Sequence, residues 1–511
     1  MAGDRLVKRP RDPRLDFFRG VAMAIILVAH IPTNPWILWI PARFGFSDAT
    51  ETFVFCSGFA SALAFGATFT DRGWAMGAAR IAHRVWQVYW AHVGVFLVTV
   101  AMLAAIDAWG LGARAHAYVA EPYVVPFFER TGEALVGLLT LRYVPGLFDI
   151  LPMYLVILAM VPAVMALHRI GGGPAVAAAV LATWLAATLA GFAHRAGADP
   201  AGWAAPFAPL NLPATPWGTS TWFFNPFGWQ LVFFIGFGFG MGWLRPPPAS
   251  RRLVLLALAV VVLSLPLAWH RLYGGLYLPE GSALAAALAE TRERLEPLWW
   301  KTWQGGLRTL HFLATAYLAW VAVGEGGRLL REGFTPGRRP VARRRALAAA
   351  GAAIALATAP YVYIDAIRAA APALDAWLLA TLPTAGSAGV GWASLAHAAA
   401  LATLAWNALS DDGRAWLGGP LWRGATEVAR KVGTQSLAVF MTSIPLSQLC
   451  GLFLDHAGRS AMNVAIANAG GVAVLVGTAY LTGWFKSQPW RGVTAQRTSG
   501  AGAGMARTPA E

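Results

Sequence analysis

Twelve apolar stretches dominate the sequence, and each is close to the ~17–25 residues that a helix needs to cross the hydrocarbon core of a membrane. Hydrophobic residues make up 57% of the 511 residues and charged residues 13%, whereas roughly a quarter of the residues are charged in an average soluble protein. We therefore predict an all-α, polytopic membrane protein with about 10–12 transmembrane helices. The stretches lie near 17–33, 50–69, 85–106, 147–167, 174–193, 222–244, 252–269, 306–323, 346–364, 390–409, 434–453 and 463–485.

The arginines predict the orientation of these helices. They cluster in the segments that precede and follow alternate pairs of stretches, at 71–84, 244–252, 328–345 and 411–431. Basic loops stay in the cytoplasm, so both termini are predicted to be cytoplasmic. The same clustering explains the net charge of +15 without a nucleic-acid partner.

We expect one membrane domain, at 17–485, between a basic cytoplasmic N-terminus at 1–16 and a cytoplasmic tail at 486–511. The small and polar residues of the tail are typical of a disordered segment. The N-terminus resembles a signal peptide, but Arg19 interrupts it and no small-residue cleavage site follows. We expect an uncleaved first helix.

The two cysteines indicate no metal site. Cys56 and Cys450 each lie inside an apolar stretch, where packing is the expected role. No metal-ligand spacing involves either of them. Neither a metal nor a bound cofactor is expected.

Arg19 and His30 stand at the two ends of the first apolar stretch. They are eleven residues apart, which places them within about 20° of each other on a helix and roughly 16 Å apart along its axis. Ionisable residues within membrane helices usually mark functional sites. Alone, Arg19 is also explained as an interfacial anchor, and His30 as a buried histidine that a carbonyl satisfies.

Asp48 and Glu51 begin the second helix, on one face, three residues apart. A helix cap and its partner glutamate explain this pair without any catalysis. Glu51 also enters the membrane, where its carboxylate could hold the imidazole of His30 in one tautomer and raise its basicity.

Other polar residues cluster near the non-cytoplasmic ends of helices. Taken singly, each is explained as a helix cap or an interface anchor. Only their common position near one side of the bilayer indicates a pocket. They are Asp149, Asn225, Arg308 and His311, and Asp48 is expected in the same acceptor-side pocket.

A second group of polar residues is predicted at the cytoplasmic end of the third helix. With Arg19 they could form a basic mouth for an anionic ligand, although a positive-inside loop explains them equally well. The group consists of Arg80, His83, Arg84, Gln87 and His92. Such a mouth, with a histidine near the far side, fits either a transporter for an intact group or an enzyme that passes an acyl group across the membrane.

The order of motifs along the chain resembles the OpgC family of the membrane acyltransferase-3 superfamily. The resemblance starts with Arg-x10-His in the first helix and covers residues 11 to about 491. The matching stretches are RDPRLDFFRGVAMAIILVAH, GFSDATETFVFCSGFASALAFG, YVPGLFDILPMYLV, FNPFGWQLVFFIG, KTWQGGLRTLHFLA, GTQSLAVF and WFKSQPWR.

This resemblance implies a bacterial inner-membrane enzyme that O-acylates a periplasmic glucan or another polysaccharide, with succinyl as one candidate group. Cytoplasmic acyl-CoA would be the donor, His30 the catalytic base, and Arg19 the residue that binds the donor. We expect no fused extracellular domain, so the transfer would occur within the membrane domain. The alternative is a transporter or flippase for a carboxylate or a glycan.

Overall fold

The computed structural model describes residues 12–197, 202–203, 205–279, 281–363, 367, 370–371 and 388–490. Within these ranges the chain is helical, and its β-structure is limited to one isolated bridge between Pro213 and Thr221. The predicted all-α class is therefore confirmed. Most of the predicted N-terminal segment and of the predicted disordered tail lies outside the described residues.

Helices coincide with all twelve apolar stretches. The principal helices are α1 Pro13–His30, α2 Ala49–Ser61, α3 Trp74–Ala108, α4 Ile150–Arg195, α5 Pro226–Met241, α6 Arg251–Ala268, α7 Gly306–Val323, α8 Val341–Val362, α9 Ala388–Ala408, α10 Trp422–Thr434, α11 Ser436–Ala457 and α12 Ala461–Ser487. Shorter helical segments connect them, namely Pro35–Trp39, Pro41–Arg43, Tyr118–Ala120, Val125–Glu129, Thr131–Leu139, Ala205–Leu210, His270–Tyr273, Ala283–Arg294, Glu296–Trp299, Glu325–Gly327, Arg328–Glu332 and Asp411–Trp416.

Eight helices of the described part of the chain are long and apolar enough to cross a membrane. One of them, α2, runs on to Asp71 through a π-helical turn at Ala62–Gly66. Another, α4, has 46 residues and covers two predicted stretches. The helix is broken between these two stretches, at Gly172. Gly172 has φ 64° and ψ −162°, a combination that is essentially restricted to glycine.

Helix starts follow from local sequence. Asp12 accepts a hydrogen bond from the backbone of Arg14 at the start of α1, and Asn225 does the same for Phe227 at the start of α5. Asp48 and Glu51 form a complete capping box at the start of α2. The expected capping role of this pair is thus confirmed.

The end of α1 is tied to the last helix by two asparagines. Pro32 has no N–H, so the carbonyl of Val28 lacks its helical donor. The side chain of Asn34 replaces that donor at 3.0 Å. The same amide donates to Asn468 of α12 at 2.8 Å. The position of His30, the last residue of α1, is therefore coupled to α12.

Glycines allow two helix pairs to touch backbone to backbone. A Cβ on Gly20 of α1 would lie 1.9 Å from the carbonyl oxygen of Ala429 in α10. A Cβ on Gly58 of α2 would lie 1.9 Å from the carbonyl oxygen of Phe233 in α5. Close packing at small residues is a common mode of helix association in membranes. Cys56 and Cys450 are free and buried, in agreement with the packing role expected for them.

Candidate active site

Arg19 and His30 face two different environments at the two ends of α1. Arg19 donates a hydrogen bond to the hydroxyl of Ser436, the first residue of α11. Its guanidinium also lies 6.0 Å from the centre of the Phe53 ring. The two ends of α1 define what we call the Arg19 side and the His30 side of the helix bundle.

Arg19 lines a cavity of about 1680 Å³, which we call the Arg19 cavity. Its walls come from α1, the π-turn of α2, α3, α4, the end of α5, α11 and α12. Cationic and titratable basic side chains outnumber the two acidic ones, Asp16 and Asp71. The basic residues that line it are Arg19, Arg80, His83, Arg84, His168, Arg169 and Lys486.

Most of the predicted basic mouth is found in this cavity. Arg80, His83, Arg84 and Gln87 all line it, and Gln87 hydrogen bonds to both Arg84 and His83. His92 was placed there wrongly. It is fully buried inside the bundle, because eight residues beyond Arg84 it lies about 12 Å further along α3 and on another face.

The His30 ring is held by its own helix. Its Nδ1 lies 2.6 Å from the carbonyl oxygen of Ile26. A carbonyl can only accept a hydrogen bond, so Nδ1 carries the proton. In the neutral ring Nε2 then has a free lone pair. The ring is half-buried, and this arrangement is that of a base.

The predicted contact between Glu51 and His30 is wrong. Glu51 Oε1 accepts hydrogen bonds from Arg308 Nε at 2.8 Å and Arg308 Nη2 at 2.5 Å. Its Oε2 accepts from the backbone of Asp48 at 2.8 Å. The Arg308 guanidinium pairs with the Glu51 carboxylate because both groups are buried, where an unpaired charge is costly. The His30 tautomer is fixed by Ile26 instead.

Lys301 joins these groups into one cluster. Its ammonium forms a salt bridge of 2.6 Å with Asp48, to which Arg308 also approaches within 3.5 Å. Lys301 and Asp48 both lie within electrostatic range of His30. Despite burial, Lys301 and Arg308 hold the pKa of Asp48 well below its usual range. We call His30, Asp48, Glu51, Lys301 and Arg308 the His30 cluster.

Asp149 lies beside this cluster. It interacts electrostatically with Lys301, and burial raises the pKa of its carboxyl well above the ordinary value. Its Oδ2 is buried and has no hydrogen-bond partner among the described residues. Asp149 is therefore a buried carboxyl beside the cluster whose Oδ2 is not committed to a described partner.

Asn225 and His311 support the site from behind. The backbone N–H of Asn225 donates to the carbonyl oxygen of Thr302, which is next to Lys301. The side-chain amide of Asn225 donates to the carbonyl oxygen of Leu210 and accepts from the backbone N–H of Phe227. His311 Nδ1 lies 2.7 Å from the hydroxyl of Ser47, which precedes Asp48. Both residues thus hold loops in place, and the structure shows no free polar group on Asn225 that faces the cluster.

Lys301 was missed as a candidate although the sequence contains a signal for it. Of the four lysines, Lys8, Lys431 and Lys486 fall in segments predicted to be cytoplasmic, and Lys301 does not. The positive-inside rule makes lysine uncommon on the other side. An exception to that rule beside predicted pocket residues could have been recognised as functional.

Comparison with known proteins identifies the family. A family model described as "OpgC protein" matches residues 11–336 and 333–487, which is nearly the whole of the described chain. No curated protein and no solved structure matches the chain significantly. The match includes both ends of α1, the wall of the Arg19 cavity and the whole His30 cluster.

Proposed function

The chain belongs to the OpgC family, and from this premise we propose that it is an O-acyltransferase that moves an acyl group from cytoplasmic acyl-CoA to a hydroxyl of a periplasmic glucan. Family membership points to a glucan-modifying acyltransferase, and the eight apolar helices to a multi-pass membrane protein. The observation that carries the proposal is α1 itself. One helix presents an arginine to a large basic cavity and a histidine with a free Nε2 to the opposite side.

The Arg19 cavity is the proposed donor site. Acyl-CoA carries several phosphate charges, and the cavity provides Arg19, Arg80, Arg84 and other cations on its walls. Charge-assisted contacts with phosphates are stronger than neutral hydrogen bonds. The Arg19 side would then face the cytoplasm of a bacterial inner membrane, as the arginine distribution predicts. Succinyl is our proposal for the acyl group.

The His30 cluster is the proposed site of transfer. Nε2 of His30 accepts the proton of a glucan hydroxyl while that oxygen attacks the thioester carbonyl. The new C–O bond forms, the C–S bond breaks, and the leaving thiolate takes the proton from the imidazolium. Lys301 would stabilise the negative charge that develops on the carbonyl oxygen. Asp149, whose Oδ2 has no partner among the described residues, would form a hydrogen bond with a hydroxyl of the glucan.

Removal of the His30 side chain tests the proposal. His30→Ala should lower the rate of acyl transfer about 10²- to 10⁴-fold, the usual contribution of a general base. Purified protein in lipid vesicles would receive acyl-labelled acyl-CoA and glucan, and mass spectrometry would count the ester groups. An unchanged thermal unfolding curve for the variant shows that the fold is intact.

The same assay separates the enzyme from the alternative, a transporter or flippase. Covalent label on the glucan supports the acyltransferase. Intact labelled solute that crosses the vesicle membrane without ester formation would instead support transport. Normal esterification by His30→Ala would contradict the proposed chemistry.

A further inference from the structure

Two stacked aromatic rings line the Arg19 cavity. His168 belongs to the part of α4 that precedes the break at Gly172, and Trp243 follows the end of α5. Their ring centres are 4.2 Å apart and their planes differ by 9°. Both side chains are half-buried and line the cavity. Each ring covers one face of the other, and the part of the stacked pair that stays exposed borders the cavity.

The backbone fixes the position of Trp243. Gly242 caps the end of α5 and has the left-handed conformation with φ 78°. The N–H of Trp243 then turns back to the carbonyl oxygen of Gly238 at 2.9 Å. The fully buried Phe237 meets the indole edge-on, with ring centres 5.6 Å apart. A ring held in this way loses little conformational entropy when a ligand stacks on it.

A cation adjoins the aromatic surface. Arg169 follows His168 in the chain, is exposed, and lines the same cavity. A flat ring that accepts a base and a neighbouring cation that accepts a phosphate together match a nucleotide. An acyl chain or a lipid tail would gain nothing specific from parallel rings.

We propose that His168 and Trp243 form the platform on which the purine base of the acyl donor stacks, with Arg169 as a contact for one of its phosphates. This inference rests on the proposed function, since it assumes a nucleotide-bearing thioester as donor. It adds which end of the donor the cavity recognises. It also places that end against α4 and α5, on walls of the cavity that do not include Arg19.

Binding of donor fragments tests the platform. The full-length protein in lipid nanodiscs would be titrated with coenzyme A, adenosine 3′,5′-bisphosphate and pantetheine, using calorimetry. Trp243→Leu should weaken the first two at least about 10-fold, in line with the loss of one base-stacking contact. Pantetheine has no base, so its affinity should not change. Trp243→Phe keeps a ring and should bind like the parent protein.

Trp90→Leu is a matched control, because Trp90 is an exposed tryptophan of α3 that lines a separate groove. It should leave all three affinities unchanged. Parental affinity of Trp243→Leu for adenosine 3′,5′-bisphosphate would overturn the platform while leaving the acyl-CoA donor intact. Absence of binding for every coenzyme A compound, together with normal glucan acylation from another donor, would overturn both.

A photolabel makes the test independent of how well the variants fold. An 8-azidoadenine analogue of coenzyme A should label peptides that contain His168 or Trp243 in the unmodified protein. An excess of adenosine 3′,5′-bisphosphate should suppress that label. Competable label confined to other walls of the cavity would contradict the assignment.

Discussion

The side chain of Glu51 is fully buried, and its partner is a residue 257 positions away, Arg308. Two hydrogen bonds join them, and Asp48 adds a third through its backbone. The role of Glu51 is therefore to hold α2 and α7 in register around the site. Replacing one partner of such a buried ion pair lowers the stability of the fold more than replacing both partners with apolar residues.

Glu51→Leu should destabilise the protein by about 3–5 kcal/mol, because the buried Arg308 guanidinium loses both of its hydrogen bonds to Glu51 and keeps only the longer contact with Asp48. The double variant Glu51→Leu with Arg308→Leu should recover most of that loss. Thermal unfolding in detergent, followed by fluorescence-detected gel filtration, measures both. A Glu51→Leu protein with parental stability and no acylation would instead return Glu51 to the chemistry at His30.

Lys301 gives a second prediction about a single side chain. If its ammonium stabilises the developing oxyanion, Lys301→Met should lower the turnover number about 10²- to 10³-fold, as the loss of one oxyanion donor does. The ammonium also forms the salt bridge with Asp48 and lies 5.2 Å from the centre of the Phe224 ring. The double variant with Asp48→Asn removes that bridge from both ends. Restored turnover in the double variant would show that Lys301 merely neutralises Asp48.

Helices α1 and α10 contact each other at glycines where a side chain would not fit. α10 is strongly amphipathic and packs along α1, where Gly20 meets Ala429 and Gly433 meets the carbonyl oxygen of Asp16. Arg19 is next to Gly20, so this contact also sets where the guanidinium enters the cavity.

Gly20→Ala should push α10 away from α1, because the new Cβ would lie 1.9 Å from a backbone oxygen. We expect a loss of stability of about 1–3 kcal/mol, typical of overpacking, and weaker coenzyme A binding. Gly94→Ala in α3 is the control, since its Cβ would meet nothing within 4 Å. Equal stability and affinity in the two variants would mean that α10 adjusts freely.

Two neighbouring glycines at the break in α4 differ in backbone conformation. Gly172 has φ 64° and Gly173 does not have a positive φ. Gly172→Ala should therefore cost about 1–3 kcal/mol of stability, whereas Gly173→Ala should be neutral. Thermal unfolding of the two purified variants compares them directly. A neutral Gly172→Ala would show that α4 can run on unbroken.

Over the whole chain, the lengths of the apolar runs predicted where the long helices lie. They did not predict the contacts between those helices. Runs of about 17–25 apolar residues suffice to locate membrane helices, since an unpaired backbone cannot remain in lipid. α10 escaped because it is amphipathic and packs on a neighbouring helix. The pairing of Glu51 with Arg308 was not predicted for a related reason. Sequence spacing predicts which residues are neighbours within one helix, but it does not predict which residue of another helix will contact them. The shared face of Arg19 and His30 was readable because both belong to one helix.

The orientation of the bundle can be measured with single cysteines. In a background with Cys56→Ala and Cys450→Ala, Arg72→Cys probes the link between α2 and α3 on the Arg19 side. Ala457→Cys probes the end of α11, next to Arg459, which bonds to Thr33 just beyond α1. A membrane-impermeant maleimide added to intact cells should label only Ala457→Cys, because the Arg19 side is expected to face the cytoplasm. The opposite pattern would invert the proposed topology.

The asparagine pair at the end of α1 bears on how the protein is made. Asn34 and Asn468 are 434 residues apart, and Arg19 and its partner Ser436 are 417 apart. Both ends of α1 are thus completed by segments that are synthesised more than 400 residues after it. A nascent chain that stops before α11 would insert its earlier helices and still lack the groups that position Arg19 and His30. The proposed activity should therefore appear only after α11 and α12 have been made and have packed against α1.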